Sequence, residues 1–254
     1  MTLDFGPNEE GYGKAMVVFA HPDDAEWGCS GTASKLVSEN WDVTYVVCTD
    51  GSKGTANRDI SSKQLSKIRQ QEQINAGKII GLTDVIFLGY PDGYLEPSLN
   101  LRKDIAREIR KHKPGILICP YPMRSLDGPY QGSGPPDHIA AGEATLSAVF
   151  PSARDHLTFP DLLQEGFEPW AVKEVWIVGH PNPDLFIDIS SEFEKSVSAL
   201  LAHKSQMSMN DDEVRQRLIE WKGKTIHNNS NFGFKGRAHG QGMKYAESFK
   251  RLKY

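Results

Sequence analysis

One short segment combines a histidine and two aspartates with a spacing that suits a metal site. His21, Asp23 and Asp24 follow directly on an apolar run at residues 15–20, which predicts a buried strand. Open α/β sheets bind ligands at the carboxyl ends of such strands. We expect His21 and Asp24 to bind one metal ion and Asp23, between them, to act as a general base. Two adjacent carboxylates repel each other unless a positive charge lies close by, which favours a divalent cation here.

A third candidate ligand, His138, lies much later in the chain. It follows an apolar run at residues 116–119 and a long loop, and a helical pattern begins near it. Loops that follow strands of one sheet converge at its carboxyl edge, so His21, Asp24 and His138 form a candidate set of two imidazoles and one carboxylate. Three protein ligands with one open position are typical of catalytic zinc sites. The alternative is that the aspartates only complement a helix N-terminus and that His138 is a surface residue.

Such a site predicts metal-assisted hydrolysis of an amide. Bound Zn²⁺ lowers the pKa of its water from about 15.7 to about 7 and polarises a carbonyl oxygen. We expect the metal-bound water to be the nucleophile and Asp23 to accept its proton, while the metal stabilises the oxyanion. Zn²⁺ is the predicted cofactor, and Fe²⁺ could occupy the same ligands.

The order of elements predicts the scaffold for these residues. Uncharged apolar runs at residues 15–20, 43–48, 85–88 and 116–119 alternate with helical patterns at about 32–39, 61–81, 101–113 and 138–150. Ser61 and Gln64 are spaced as a capping box at the start of the second helix. Fully apolar strands are typical of a parallel sheet with both faces covered. We therefore predict a Rossmann-like three-layer α/β sandwich with a mostly parallel sheet.

The chain after residue 150 is expected to extend this core. Strands are predicted at residues 175–178 and 186–189, a helix capped by Ser190 or Ser191 up to about 203, a polar helix at 211–221 and a loop at 225–242. We predict a single domain over residues 1–254, with a Rossmann-like core at 14–150 and a C-terminal elaboration at 151–254.

Composition excludes several classes of protein. The chain has 254 residues, with 29 basic against 33 acidic side chains and no basic block, so nucleic-acid binding is not expected. The apolar runs are too short to span a membrane, and residues 1–13 lack the pattern of a signal peptide. The three cysteines are scattered and odd in number, which predicts a reducing, cytoplasmic setting. The sequence leaves a homo-oligomer open.

Several motifs together resemble a known family, the zinc-dependent N-acetylglucosaminyl deacetylases of the PIG-L/LmbE-like type. They span most of residues 14–206 and occur in the family's order. The matching motifs are Ala20-His21-Pro22-Asp23-Asp24-Ala25, Thr49-Asp50-Gly51, Arg69 with Glu72, Asp92-Gly93, Pro136-Asp137-His138 with Gly142, and the segment 202–206.

The resemblance implies a role for each matching residue. It makes His21, Asp24 and His138 the zinc ligands and Asp23 the general base, and it makes Arg69 a residue that binds the substrate. Hydrogen-bond acceptors that orient the ligands are expected at Asp50, Asp92 and Asp137. The implied reaction is removal of an N-acetyl or other acyl group from an amino sugar or its glycoside. Without the resemblance, Arg69 and Glu72 would be interpreted as an ordinary helix-surface pair.

One position departs from the family pattern. Pro135 stands where the family has a histidine that acts as general acid or stabilises the oxyanion, and proline can do neither. Asp23 could carry out both proton transfers, or a histidine of the C-terminal part could replace the missing one. The candidates are His180, His203 and His239, of which we prefer His180 as a catalytic residue because it directly follows a predicted strand. Weak or altered activity is the third outcome.

The substrate is predicted only by class. The loop at residues 120–136 carries Tyr121, Arg124 and Tyr130, whose aromatic and hydrogen-bonding groups suit a sugar. The alternatives are an amidase acting on a thiol-sugar conjugate or an acylated secondary metabolite, and a catalytically weak sugar-binding protein. A nucleotide-binding Rossmann module is disfavoured, because no Gly-x-Gly-x-x-Gly turn follows the first strand.

Overall fold

A seven-stranded sheet forms the centre of the molecule. The computed structural model describes residues 5–124, 135–224, 226–227, 234–235 and 237–254. The sheet strands are β1 (Lys14–Phe19), β2 (Asp42–Thr49), β3 (Asp84–Tyr90), β4 (Ile116–Pro120), β5 (Glu174–Val178), β6 (Leu185–Asp188) and β9 (Ala246–Lys253). Their order is β3-β2-β1-β4-β5-β9-β6, and β9 alone among them runs antiparallel to its neighbours. The predicted mostly parallel sheet is confirmed.

Helices cover both faces of the sheet. They are α1 (Asp24–Gly28), α2 (Ser30–Ser38), α3 (Ser62–Ile80), α4 (Leu99–His112), α5 (Pro136–Ser147), α6 (Pro160–Gln164), α7 (Phe193–Leu200) and α8 (Asp211–Lys222). Helices α2, α3 and α7 pack together on one face, and α4 and α5 on the other. Alternate residues of β1 serve the two cores, with Val17 in the first and Val18 in the second. The three-layer Rossmann-like sandwich is therefore confirmed.

The predicted capping box begins α3. The Ser61 hydroxyl accepts a hydrogen bond from the backbone N–H of Gln64, and the Gln64 side chain accepts one from the backbone N–H of Ser61. These bonds satisfy N–H groups that the first turn of a helix leaves without partners. The start of the long helix α3 is thus fixed, and this helix lies behind the loop that follows β1.

The connectivity of the sheet creates a crevice at the end of β1. The chain passes from β1 outward to β2 and β3, then returns to place β4 on the other side of β1. The loops after β1 and β4 therefore leave the sheet in opposite directions and open a crevice beyond its carboxyl edge. His21 follows β1, and the loop after β4 leads to His138 in α5.

The C-terminal part differs from prediction in several places. Strand β9 was not expected, nor was α6. The predicted loop at 225–242 is wrong in part, because β7 (Ile226–His227) pairs with β8 (Phe234–Lys235). The helix predicted to start at Ser190 or Ser191 and to reach 203 is shorter, and its N-cap is Glu192. The Ser190 hydroxyl bonds to the Asp188 carboxylate instead, so it does not cap the helix.

Strand β9 was not predicted because charged residues interrupt its apolar pattern. In the fold these charged residues have partners. Arg251 pairs with Glu174 of β5, and Lys250 lies 2.6 Å from the carboxylate of Asp184. Glu247 is buried against α2 and α8. Because ion pairs and hydrogen bonds offset these charges, a segment without an apolar run can occupy an interior position of the sheet.

Residues of the predicted C-terminal elaboration complete the sheet of the core. Strands β5, β6 and β9 all belong to residues 151–254, and β5 pairs directly with β4. This shared sheet supports our proposal of one domain. In the described part of the chain, no helix has both the length and the apolar character needed to cross a membrane.

The buried carboxylate of Glu247 joins the two parts. Lys222 of α8 and Glu247 of β9 are both fully buried, with 2.6 Å between the Lys222 Nζ and the Glu247 Oε1. The Glu247 carboxylate also accepts hydrogen bonds from the backbone N–H groups of Gly31 and Thr32 in the first turn of α2. Strand β9 thereby caps the helix that follows the candidate metal-binding loop.

We expect Lys222→Met to lower the free energy of unfolding by about 3–5 kcal/mol, because it leaves the buried charge of Glu247 uncompensated. Urea denaturation measures the change. The control is Lys195→Met, which removes an exposed pair with Glu192 at 3.9 Å and should cost less than about 1 kcal/mol. Equal unfolding midpoints for the two variants would contradict the role given to the buried pair.

Candidate metal centre

The three predicted ligands come together at the crevice. The Asp24 carboxylate lies 3.3 Å from the His21 Nδ1 and 3.1 Å from the His138 Nε2, and the two imidazole nitrogens lie 3.2 Å apart. One ligand atom from each residue falls within 4.8 Å of the others. Their side chains are 15%, 11% and 32% exposed for His21, Asp24 and His138, so the cluster is open to solvent on one side. A single metal ion fits among these atoms, and metal binding by them stays a prediction.

The carboxylates of the cluster favour positive charge on the neighbouring imidazoles. Although burial opposes the charged form, Asp24 and Asp92 raise the pKa of His21 to about 11. Burial likewise opposes ionisation of Asp24, but His138 and His21 hold its pKa far below the usual range. The pKa of His138 is raised by Asp24 against the effect of burial. A proton on His21 thus supplies positive charge that a divalent cation could supply instead.

Asp92 and Asp137 contact the other nitrogen of His21. The His21 Nε2 lies 3.2 Å from the Asp92 carboxylate and 3.1 Å from that of Asp137. Backbone N–H groups of Gly93 and Leu95 donate to Asp137, which fixes its carboxylate. Carboxylates in this position set the tautomer and orientation of a ligating histidine. This arrangement supports the orienting role predicted for both residues.

Asp50 is linked to the His21 imidazole through Asp92. Its carboxylate accepts hydrogen bonds from the backbone N–H groups of Ser52 and Asp92, at 3.0 and 3.2 Å. The loop after β2 is thereby fastened to the loop after β3. Asp50 contributes to the placement of Asp92, and the predicted contact of Asp50 with a ligand itself stays a prediction.

Asp23 lies beside the cluster in an unusual backbone conformation. Its φ of 96° falls in the left-handed region, which is rare for a residue with a side chain. Burial and the charge of Asp24 raise the pKa of Asp23 to about 7, while Arg69 and His203 act in the opposite direction. A carboxylate with a pKa near neutrality suits a general base, so the geometry agrees with that predicted role.

The Arg69 side chain connects three loops of the site. It is 4% exposed, and its guanidinium donates to the backbone carbonyls of Pro22 at 2.8 Å and Lys53 at 3.0 Å. It also contacts the carboxylates of Asp92 at 3.4 Å and Asp23 at 3.7 Å. The loops after β1, β2 and β3 are therefore held by one side chain. The predicted contact of Arg69 with substrate stays a prediction.

The position of the missing family histidine is the residue just before α5. Pro135 is exposed and precedes the helix that carries His138. The preferred substitute, His180, follows β5, and its ring meets the Tyr121 ring edge-on at 4.9 Å between centroids. The backbone N–H of Asn182 donates to the His180 Nδ1 at 3.0 Å. His180 thus lies on the carboxyl edge of the sheet, and its catalytic role stays a prediction.

The other two candidate histidines lie elsewhere. His203 is fully buried, 3.2 Å from the carboxylate of Glu26, so it does not face the crevice as a solvent-exposed acid would. His239 contacts the carbonyl oxygen of Lys224 in the C-terminal part. Neither contact places an acidic proton at the metal cluster.

The predicted sugar-contacting residues follow β4. Tyr121 continues directly from this strand, where its backbone N–H donates to the carbonyl of Val178 at 3.0 Å. Arg124 is exposed a few residues later. Tyr130 lies outside the described residues.

Sequence reasoning missed a buried polar chain behind Asp23. Gln73 accepts a hydrogen bond from the backbone N–H of Asp23 at 3.0 Å and donates to Glu26 at 2.9 Å. Glu26 in turn meets His203. The one signal available was the spacing of Arg69 and Gln73, which puts both on the same side of α3.

Comparisons with known proteins match this architecture. The PIG-L family, described as GlcNAc-PI de-N-acetylase, matches residues 16–149. Diacetylchitobiose deacetylase of Thermococcus kodakarensis is 34% identical over 206 residues, which cover 80% of this chain and 74% of that protein. A probable N-acetyl-alpha-D-glucosaminyl L-malate deacetylase 2 of Bacillus anthracis is 27% identical, with 83% of this chain and 89% of that protein covered.

A solved structure extends the match to almost the whole chain. N,N'-diacetylchitobiose deacetylase from Pyrococcus horikoshii, complexed with its inhibitor MPG, superposes with a TM-score of 0.80 at 25% sequence identity. The superposition covers 94% of this chain and 84% of that one. The segment matched by the family, residues 16–149, runs from β1 to just beyond α5. It therefore includes His21, Asp24 and His138. The chain therefore belongs to the PIG-L family.

Proposed function

We propose that the chain is a zinc-dependent N-deacetylase that hydrolyses the acetamide of an N-acetylglucosamine derivative to a free amine and acetate. Relatives named for deacetylation of diacetylchitobiose and of N-acetylglucosaminyl malate support the substrate class. The observation that carries the proposal is the convergence of His21, Asp24 and His138 on one point, with Asp23 beside them.

The donor set fits zinc. Two imidazole nitrogens and one carboxylate oxygen are typical ligands of catalytic Zn²⁺, and the solvent-facing side of the cluster leaves room for a further ligand. Fe²⁺ accepts the same donors, so the ligands do not separate the two metals. When bound, the ion supplies Lewis acidity: it polarises the amide carbonyl and lowers the pKa of water.

Asp23 performs the proton transfers in this proposal. Its carboxylate takes the proton of the attacking water as the new carbon–oxygen bond forms. It then returns that proton to the amide nitrogen as the carbon–nitrogen bond breaks, so the amine leaves neutral. A pKa near 7 lets one carboxyl group accept and release a proton at neutral pH. His180 is the candidate for assisting the second transfer.

Residues at the rim would bind the sugar. Tyr121 and Arg124 follow β4, and Tyr94 follows Asp92-Gly93 with 71% of its surface exposed. Exposed aromatic rings beside a polar cluster suit the apolar face and the hydroxyl groups of a sugar ring. Arg69 would hold the loops beside this rim, and its contact with the substrate stays a prediction.

The thiols support the predicted reducing setting. Cys29, Cys48 and Cys119 are all buried and free, as expected for a protein kept in a reducing compartment. This agrees with the predicted cytoplasmic location.

Asp23→Asn should lower turnover by about 10²- to 10⁴-fold without loss of bound zinc, because the amide keeps the shape of the carboxylate but cannot accept the proton. Acetate release from N,N'-diacetylchitobiose and metal analysis of the same sample measure both quantities. The control is Asp84→Asn, an exposed residue at the opposite edge of the sheet. If the zinc-loaded wild type cleaves no N-acetyl amino sugar, the proposed function is wrong, whereas an active Asp23→Asn variant would remove only the base assignment.

His180→Ala should lower kcat by about 10²-fold and leave the zinc content unchanged, because the imidazole assists protonation of the leaving amine. Steady-state kinetics on the same disaccharide test this expectation, with the exposed His156→Ala as the matched control. Wild-type kcat in His180→Ala would show that Asp23 carries out both transfers alone.

Zinc binding to the metal-free protein should release at least one proton at pH 7.5, because the raised pKa of His21, about 11, keeps this imidazole protonated there. Zinc affinity should therefore rise with pH above 7.5, as competition from protons weakens. Calorimetry in buffers of different ionisation enthalpy counts the protons. His138→Ala should weaken binding, and His112→Ala, at the far edge of the sheet, should not. Binding without proton release would contradict the charge assignment.

A further inference from the structure

Two side chains of α3 form hydrogen bonds with the peptide group between Pro22 and Asp23. Arg69 donates to the carbonyl oxygen of Pro22 at 2.8 Å, and the Gln73 Oε1 accepts from the N–H of Asp23 at 3.0 Å. Both contacts are made to the peptide group that precedes Asp23, whose φ of 96° lies in the left-handed region. Residues 69 and 73 are one helical turn apart, so one face of α3 holds both polar groups of this peptide.

The direction of the Gln73 amide is set by its other neighbour. The Gln73 Nε2 donates to the Glu26 carboxylate at 2.9 Å, and a carboxylate only accepts. The amide oxygen must therefore face the N–H of Asp23. Gln73 and Glu26 are 1% and 0% exposed, so water does not compete for these bonds.

His203 completes the chain of contacts. Its Nε2 lies 3.2 Å from the second carboxylate oxygen of Glu26, and it is fully buried. The contact with His203 and the hydrogen bond from the Gln73 amide keep Glu26 in place without a contact to the candidate metal ligands. The backbone of Asp23 is thus tied through Gln73 and Glu26 to a residue of the C-terminal part.

We propose that Gln73 is a positioning residue, which holds Asp23 in the left-handed conformation that separates the two adjacent carboxylates. The Asp24 carboxylate meets His138 at 3.1 Å, while the Asp23 carboxylate lies on the Arg69 side at 3.7 Å. This inference rests on the proposed function for the role of Asp23 as base. Without the Gln73 acceptor, the N–H of Asp23 is buried and unpaired, and its backbone relaxes toward the ordinary negative φ.

The test compares Gln73→Met with a double variant that exchanges the two groups. Gln73→Met keeps the volume but loses both hydrogen bonds, so kcat should fall about 10- to 100-fold while KM and zinc content stay within about twofold. The single variant Gln73→Glu places a second buried carboxylate beside Glu26, and their repulsion should also lower kcat. Glu26→Gln with Gln73→Glu restores an acceptor for the Asp23 N–H and a donor between residues 26 and 73, and should recover most of the lost kcat.

A second readout does not depend on turnover. The Asp23 amide should resist hydrogen exchange in the wild type and in the double variant, and exchange at least about tenfold faster in Gln73→Met. Gln71→Met, an exposed glutamine on the same helix, is the matched control for both measurements.

The outcomes separate the inference from the function. Unchanged kcat and unchanged exchange at Asp23 in Gln73→Met would overturn the positioning role, as would failure of the double variant to recover. A wild type that binds zinc but cleaves no N-acetyl amino sugar would overturn the proposed function, and the exchange pattern alone would then decide whether Gln73 holds the backbone of Asp23.

Discussion

The buried carboxylates around His21 require positive charge, and the rest of the structure keeps that charge in one place. Asp24, Asp92 and Asp137 all lie within 3.3 Å of the His21 ring. Such a concentration of negative charge in a partly buried site is unstable unless protons or a cation balance it. The same imbalance that raises the pKa of His21 would favour the divalent ion that we propose, because the ion would replace a proton that is already required there.

The sheet topology explains how the fold accommodates this concentration of negative charge. Because β4 returns beside β1, the loops from four strands meet over one crevice, and together they bring backbone N–H groups as well as carboxylates. Gly93 and Leu95 donate to Asp137, and Lys53 donates to Asp92 at 2.9 Å. Oxygen atoms that face away from the imidazole are therefore hydrogen-bonded, which fixes the orientation of the carboxylates. Arg69 adds a permanent positive charge where the loops are most crowded.

The sequence was sufficient for the parts of the molecule that follow local rules. Apolar runs located β1 to β5, and the clustering of His21, Asp24 and His138 followed from where the strands of a parallel sheet end. Strand β9 was missed because its charges are neutralised by distant residues such as Glu174, which no local pattern reveals. Gln73 was missed for a related reason: an amide in a polar helix gives no signal until the helix packs against the Asp23 peptide.

The conformation of Asp23 links these observations. A left-handed residue with a side chain costs about 1–2 kcal/mol, and a buried hydrogen bond contributes about 1 kcal/mol, so the two bonds from Arg69 and Gln73 roughly offset the strain. The strained turn allows consecutive carboxylates to have different partners, since Asp24 faces the imidazoles while Asp23, the proposed base, lies on the side of Arg69. The position of α3 behind the loop is therefore as much a part of the site as the ligands themselves.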